Sequence, residues 1–290
     1  MLAIQPQSGT GPLVHLITHA RGSLDINMYL FTDRPLIQAV RAAVARGVRV
    51  HIILDRRPYG GRPRGEVQAL RATGAQVRFA PPRFTGRYRF DHAKYLVTGT
   101  HVALGTANFT WSAFHRNREY DWLARQPAVA QALHAVFQAD WTNHAAGAAP
   151  RRTLVLSPGA TPALLAAIRQ PGAVCIESEE LGNDRPILAA LRQKGRLAQI
   201  VLPTTLSRYD QRFARALDAA GVRVRFLASP YIHAKLIAGS DEAFIGSENF
   251  SWTSLNRNRE VGVMLGQPDA HRLLMRCEGD WVQALKPSRR

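Results

Sequence analysis

The chain repeats itself. Asp91-His92-Ala93-Lys94 is followed by Gly105-Thr106-Ala107-Asn108-Phe109-Thr110-Trp111 and then by Asn117-Arg118-Glu119. Tyr231-Ile232-His233-Ala234-Lys235 is followed by Gly246-Ser247-Glu248-Asn249-Phe250-Ser251-Trp252 and then by Asn258-Arg259-Glu260. His92 and His233, Lys94 and Lys235, Asn108 and Asn249, Glu119 and Glu260 are each 141 residues apart. A duplication that holds these four side chains in register, while the residues between them drift, implies that they act together. Two copies in one chain imply two similarly folded halves that share an interface.

The length of 290 residues suits two halves of ordinary size. Residues 23–31 alternate, with Leu24, Ile26, Met28 and Leu30 on one face and Asp25, Asn27 and Tyr29 on the other. An amphipathic helix follows over 34–46, ended by Gly47, and then a buried strand over 48–54. The second half repeats the order: a strand at 174–177, a helix opened by Asp184 as cap with Pro186 in its first turn, and a strand at 198–202. Asp33-Arg34-Pro35 is the matching helix start. Each half closes on a helix ending Asp-Trp, at Asp140-Trp141 and Asp280-Trp281. Alternating strands and helices predict an α/β fold with a mixed sheet flanked by helices in each half. The stretch 145–152 reads as the linker, which places the halves at 1–150 and 151–290.

In a strand, residues two apart share a face, so His92 projects beside Lys94 and His233 beside Lys235. Gly105-Thr106 and Gly246-Ser247 read as turns where an anion meets backbone N–H groups and a hydroxyl. Asn108 and Asn249 add neutral donors. Two such sets face to face suit a phosphodiester, with a cationic cradle for the charge of a five-coordinate transition state. One neutral histidine attacks phosphorus, and the other, protonated, serves the leaving oxygen and then takes a proton from water. Glu119 and Glu260 are the candidates to hold the imidazoles, as the carboxylate does in a Ser-His-Asp triad. The alternative for each is a salt bridge with the adjacent arginine. Trp111, Trp252, Phe109 and Phe250 read as core anchors.

The pattern His-x-Lys followed by Gly-(Ser/Thr)-x-Asn, present twice across essentially the whole chain, resembles the phospholipase D superfamily. That resemblance implies two α/β halves related by a pseudo-two-fold axis, one active site between them and a phosphohistidine route without metal or cofactor. It also implies that the first histidine, His92, attacks and that His233 is the acid. The family's aspartate, five positions after the lysine, is replaced by Gly99 and Ser240, with Asp241 one place late and the turn one residue shorter. A His-Lys-Asn reading, similar to the tyrosyl-DNA phosphodiesterase branch, fits both halves better.

The surroundings of the motif point to the substrate. Net charge is +17, which speaks to an anionic partner, nucleic acid before a membrane surface. Nine arginines and a single acid, Glu66, lie between positions 56 and 90, with Tyr59, Phe84, Tyr88 and Phe90 interleaved. Arg83, Arg87, Tyr88, Arg89 and Phe90 lead directly into His92, as a groove for single-stranded DNA requires. The arginines of His115-Arg116-Asn117-Arg118-Glu119 and Asn256-Arg257-Asn258-Arg259-Glu260 add to it. The expected function is a nuclease acting as a monomer with an internal pseudo-dimer. The alternatives are a phospholipase or phosphatidyltransferase, and a nucleic-acid-binding protein with a dead site. Thr106 and Ser247 are expected to touch substrate. No clustered acids suit a two-metal site. Cys175 and Cys277 read as inert core residues, with one bridge between them as the alternative. No membrane-length apolar run and no signal peptide are visible, so a soluble cytoplasmic protein is expected, or an exported one whose leader has been cleaved.

Overall fold

The two halves start their helices with the same cap. In the computed structural model, which describes residues 1–61 and 63–285, the Asp33 carboxylate accepts from the Leu36 amide at 3.2 Å and opens helix Arg34–Ala45. Asp184 accepts from the Ile187 amide at 3.1 Å and opens helix Arg185–Lys194. Pro35 and Pro186 sit in the first turns, where a missing N–H costs nothing. Gly47, at φ +85°, ends the first of these helices. Arg62, one of the nine arginines before His92, lies outside the described residues.

The first sheet holds β1 (Leu2–Gln5), β2 (Ser23–Met28), β3 (Arg49–Leu54), β4 (Gln76–Phe79), β5 (Lys94–Thr98), β6 (His101–Gly105) and β7 (Asn117–Arg125). Their spatial order is β1-β7-β6-β5-β2-β3-β4. The second half supplies β8 (Val155–Ser157), β9 (Val174–Ser178), β10 (Ala198–Pro203), β11 (Arg223–Leu227), β12 (Tyr231–Ile232), β13 (Lys235–Ala238), β14 (Ala243–Gly246) and β15 (Glu260–Leu265). The second sheet runs β11-β10-β9-β13-β14-β15-β8. In both sheets three neighbouring strands are parallel and the rest antiparallel. The fold is α/β, two mixed sheets flanked by helices.

One strand leaves its own sheet. β12 pairs in parallel with β7 of the first half, Tyr231 opposite Asn117 and Ile232 opposite Arg118. The mirror image is a parallel bridge between Asp91 and Arg259. The His92 amide therefore donates to the Arg259 carbonyl at 2.8 Å, and the His233 amide to the Arg118 carbonyl at 3.3 Å. Each histidine hangs from the Asn-Arg-Glu strand of the opposite half, which is the local expression of the pseudo-two-fold axis.

Apolar burial reinforces this exchange. A shared core joins Leu133 and Phe137 of helix Pro127–Trp141 to Leu236 and Ile245 of the second sheet. Side chains of this size contribute about 1.5–3 kcal/mol each when fully buried. Two outer cores lie on the far faces of the sheets. The polar face of β2 is internal: Asp25 and Asn27 are buried, and Asp25 accepts from His51 at 2.9 Å and His134 at 3.0 Å. Cys175 on β9 and Cys277 on helix Asp269–Gln283 form a disulfide. They are buried, but they tie helix to sheet rather than sitting as inert thiols. Among the described residues no helix is long and apolar enough to cross a membrane.

Candidate active site

The crossed strands bring the two repeated motifs to one cleft of about 520 Å³, whose wall includes Tyr29, Phe90, His92, Glu179, His233 and Asn249. The His92 Nδ1 lies 2.9 Å from Glu260 Oε2 and 3.1 Å from the Ser247 carbonyl oxygen. The His233 Nδ1 lies 2.8 Å from Glu119 Oε1. Each carboxylate thus serves the histidine of the other half, not the adjacent arginine. Burial alone would raise Glu260; the charge and hydrogen bond of His92 outweigh it and hold the carboxyl below its ordinary value.

The carboxylates are themselves held. Glu119 accepts from Thr106 Oγ1 at 2.7 Å and from Asn117 Nδ2 at 3.1 Å. Glu260 accepts from Ser254 Oγ at 2.7 Å and from Asn258 Nδ2 at 3.0 Å. Asn117 and Asn258 are part of the repeat, so their spacing two before the glutamate was the signal for this role.

The expected anion turn is corrected. Thr106 and Ser247 are fully buried, and their amides donate to Tyr120 and Val261 carbonyls within the strand ladder. Ser247 Oγ accepts from the Val261 amide at 2.9 Å. A Cβ on Gly105 would stand 2.0 Å from the Tyr120 carbonyl, and one on Gly246 would stand 2.6 Å from Gly262 Cα. The glycines answer close strand approach. The hydroxyls brace the strand and Glu119 and do not face the cleft.

Lys94 and Lys235 approach the cleft differently. Lys235 Nζ donates to Glu179 Oε2 at 2.7 Å and to the His233 carbonyl at 2.6 Å. Lys94 Nζ donates to the His92 carbonyl at 2.7 Å and lies 5.3 Å from the centre of the Tyr29 ring, with no carboxylate bridge among the described residues. Burial and the charge of Lys235 push its ammonium down to about 7. An anion seated in the cleft gains from that charge only while Lys94 is protonated. Inhibition by vanadate should therefore weaken as pH rises through about 7, and an inhibition constant flat from about pH 6 to about pH 8 would count against it. The carboxamide oxygens of Asn108 and Asn249 make no hydrogen bond within the described protein, although both side chains are buried beside the motif.

The basic segment divides. Arg83 bonds Asp140 at 2.7 Å and the Ala139 carbonyl at 3.2 Å, so it is spent on the protein. Arg118 and Arg259 are buried against Asp280 and Asp140 and are not substrate contacts. Arg87 lies over Tyr88, which is 57% exposed. Arg56, Arg57, Arg87 and Arg89 line a groove together with Phe90, a residue that also lines the cleft. A second groove joins Arg89 to Arg151 and Arg257. Trp111 and Trp252 are not core anchors: they are 53% and 44% exposed, with the guanidinium groups of Arg116 and Arg257 at 4.9 and 5.4 Å from their rings. Phe109 and Phe250 are buried.

Sequence reasoning missed the acids of the cleft. Glu179, Glu180 and Asp210 line it, with Tyr209 and Tyr59. Burial alone would raise Glu179; the charges of His233 and Lys235 outweigh it and hold its carboxyl at about 2. Burial and the neighbouring Glu179 push Glu180 up to about 7. No repeat marks these residues.

Residues 13–141 match the family model described as "Cardiolipin synthase, PLD-like domain". The mitochondrial cardiolipin hydrolase of Xenopus tropicalis is 28% identical over 132 residues, 46% of this chain and 60% of its own length. The 5'-3' exonuclease PLD3 of Macaca fascicularis is 24% identical over 262 residues, 76% of this chain and 53% of its own length. The chain thus spans less than two thirds of these curated relatives. The phosphatidylserine synthase of Haemophilus influenzae superposes with a TM-score of 0.69 at 12% identity, covering 97% of this chain and 85% of its own, a likeness of fold. With two His-x-Lys motifs meeting in one cleft between two such halves, the chain belongs to the phospholipase D superfamily.

Proposed function

We propose that the protein is a phosphodiesterase that hydrolyses nucleic acid, single-stranded DNA foremost, through a phosphohistidine on His92. The observation that carries the nucleic-acid reading is the basic groove of Arg56, Arg57, Arg87 and Arg89, which shares Phe90 with the cleft, with the exposed Tyr88 beside Arg87. Phosphates on either side of the scissile bond need such cations, and bases need exposed rings, each stacked base adding about 1–3 kcal/mol.

In this reading the phosphorus sits between His92 and His233. The lone pair of His92 Nε2 forms the N–P bond as the P–O bond to the leaving group breaks. The proton on His233 passes to the leaving oxygen. Neutral His233 then takes a proton from water as the water oxygen displaces His92. Lys94, Lys235, Asn108 and Asn249 stabilise the transition-state charge, each donor worth roughly 10²–10³ in rate. Halves 1–150 and 151–290 form one catalytic unit within a monomer. The two ammoniums supply charge that a metal supplies in other phosphodiesterases, which supports a metal-independent reaction.

A second reading has its own support. Glu180, Asp210, Tyr59 and Tyr209, which line the cleft, suit a cationic group on the leaving alcohol, as in a zwitterionic phospholipid. One assay separates the two: end-labelled single- and double-stranded DNA beside phosphatidylcholine and cardiolipin, all in excess EDTA. Cleavage of single-stranded DNA in EDTA is the expected result. Its affinity should fall steeply with salt, and replacing Arg57, Arg87 and Arg89 by glutamine should flatten the slope of log affinity against log salt by about two. Lipid cleavage alone would favour the second reading, and activity restored only by a divalent metal would remove the metal-free mechanism.

A further inference from the structure

The two halves present the same four motif residues, yet the cleft is not symmetric. Met28 pairs with Lys94 and Ser178 pairs with Lys235 across equivalent strands. The next residues, Tyr29 and Glu179, therefore occupy equivalent positions, one beside each histidine. The Tyr29 ring stands 4.7 Å from the His92 ring, edge to face, and its hydroxyl accepts from the Tyr59 amide at 2.7 Å. Glu179 Oε2 stands 3.3 Å from His233 Nε2. His233 is thus faced by a carboxylate on each ring nitrogen, Glu119 at Nδ1 and Glu179 at Nε2. His92 is faced by one carboxylate, Glu260, and by the Ser247 carbonyl, both at Nδ1.

From this difference we infer that Glu179 is a positioning residue which keeps His233 doubly protonated and so assigns the acid role to it and the nucleophile role to His92. The inference rests on the phosphohistidine reading above for its catalytic meaning, but its protonation content is independent of it. A carboxylate hydrogen-bonded at Nδ1 and a second carboxylate charge close to Nε2 both favour the doubly protonated ring. A ring whose only acceptors lie at Nδ1 keeps its proton there and leaves an Nε2 lone pair facing the cleft. The other groups around the pair reinforce the contrast. Burial and the charges of Lys94 and Lys235 lower His92 against the pull of Glu260. Lys235 opposes the His233 proton, but its own ammonium is bridged by Glu179. Glu180 lies next to Glu179 in the same wall. The phenols of Tyr29, Tyr59 and Tyr231 are pushed above their ordinary value by burial, so they stay neutral.

The roles follow from one position in each half, so they should be transferable. The test has two arms. In the first, nitrogen-15 NMR follows both histidine rings in the wild type, Glu179→Gln and Glu179→Tyr, with resonances assigned from His92→Gln and His233→Gln. His233 should hold its proton to higher pH than His92 in the wild type. In both Glu179 variants it should lose that proton at least about one pH unit lower, because an adjacent opposite charge has been removed. His233 titrating alike in all three proteins overturns the inference. In the second arm, bis(p-nitrophenyl) phosphate is the probe, and the phosphoryl group is mapped by peptide mass after a quench without acid. The wild type should carry it on His92. The exchange Tyr29→Glu with Glu179→Tyr should move most of it to His233, and retention on His92 alone overturns the inference. A wild type that shows the titration difference but carries no adduct sinks the covalent reading and upholds the assignment of the proton.

Discussion

Replacing His92 by alanine should lower turnover by at least about 10⁴-fold on every substrate and remove any covalent intermediate. The expectation follows from what each ring nitrogen faces. His92 Nδ1 is taken by Glu260, which leaves Nε2 as the attacking atom. His233→Ala should behave differently with different leaving groups. With an alkoxide leaving group, loss of the acid costs about 10²–10⁴-fold. With p-nitrophenolate, which needs little protonation, the first step should survive. The phosphohistidine should then accumulate, because the group that takes the proton from water is missing. Rapid quenching without acid, followed by intact-mass measurement, reads the adduct directly. Trapping it in His92→Ala would reverse the roles. Its absence from both variants and the wild type would mean direct attack by water.

What could be read in the sequence and what could not divides along a physical line. The repeat made the His, Lys, Asn and Glu sets legible, because residues that must meet across an interface keep their spacing while surface residues drift. The Asp33 and Asp184 caps were legible because a cap is a local hydrogen bond, three residues long. Partners distant in sequence were not. Nothing near Arg118 or Arg259 signals that the aspartate it meets lies in the other half, so both were read as substrate cations. Arg83 was read the same way and is held by Asp140. Gly105-Thr106 looks like an anion turn in isolation, and only the approach of β7 shows that the glycine answers the Tyr120 carbonyl. The exposure of Trp111 and Trp252 depends on arginine partners that a hydrophobicity pattern ignores. Glu179 escaped for the opposite reason to the motif: it is where the two copies differ, and a search for sameness passes over it.

The buried arginines make the second large expectation. Arg118→Met should destabilise the protein by about 3–5 kcal/mol, because it leaves the buried Asp280 short of its main partner. Arg118 Nη2 lies 3.1 Å from Asp280 Oδ1, its Nε binds the other oxygen, and Nη1 reaches the Gln5 carbonyl and Gln7 Oε1. Arg276 stays 3.1 Å from Asp280 Oδ1 and softens the loss without removing it. Arg259→Met should act alike on Asp140, which Arg83 still holds. For a chain of this length the fall in melting temperature is on the order of 10 °C. The double variant Arg118→Met/Asp280→Leu should recover most of the loss, since a buried ion pair is often replaceable by apolar volume while half of one is not. Thermal unfolding at one pH measures all of these, and a loss below about 1 kcal/mol in the single variants would show that the arginines do not clasp the halves. Recovery of stability need not restore turnover. The Arg118 carbonyl receives the His233 amide and the Arg259 carbonyl receives the His92 amide, so each guanidinium fixes the strand from which a catalytic ring of the other half is hung. A double variant that melts like the wild type and turns over more slowly would place that effect in the register of the crossed strands, not in the stability of the fold.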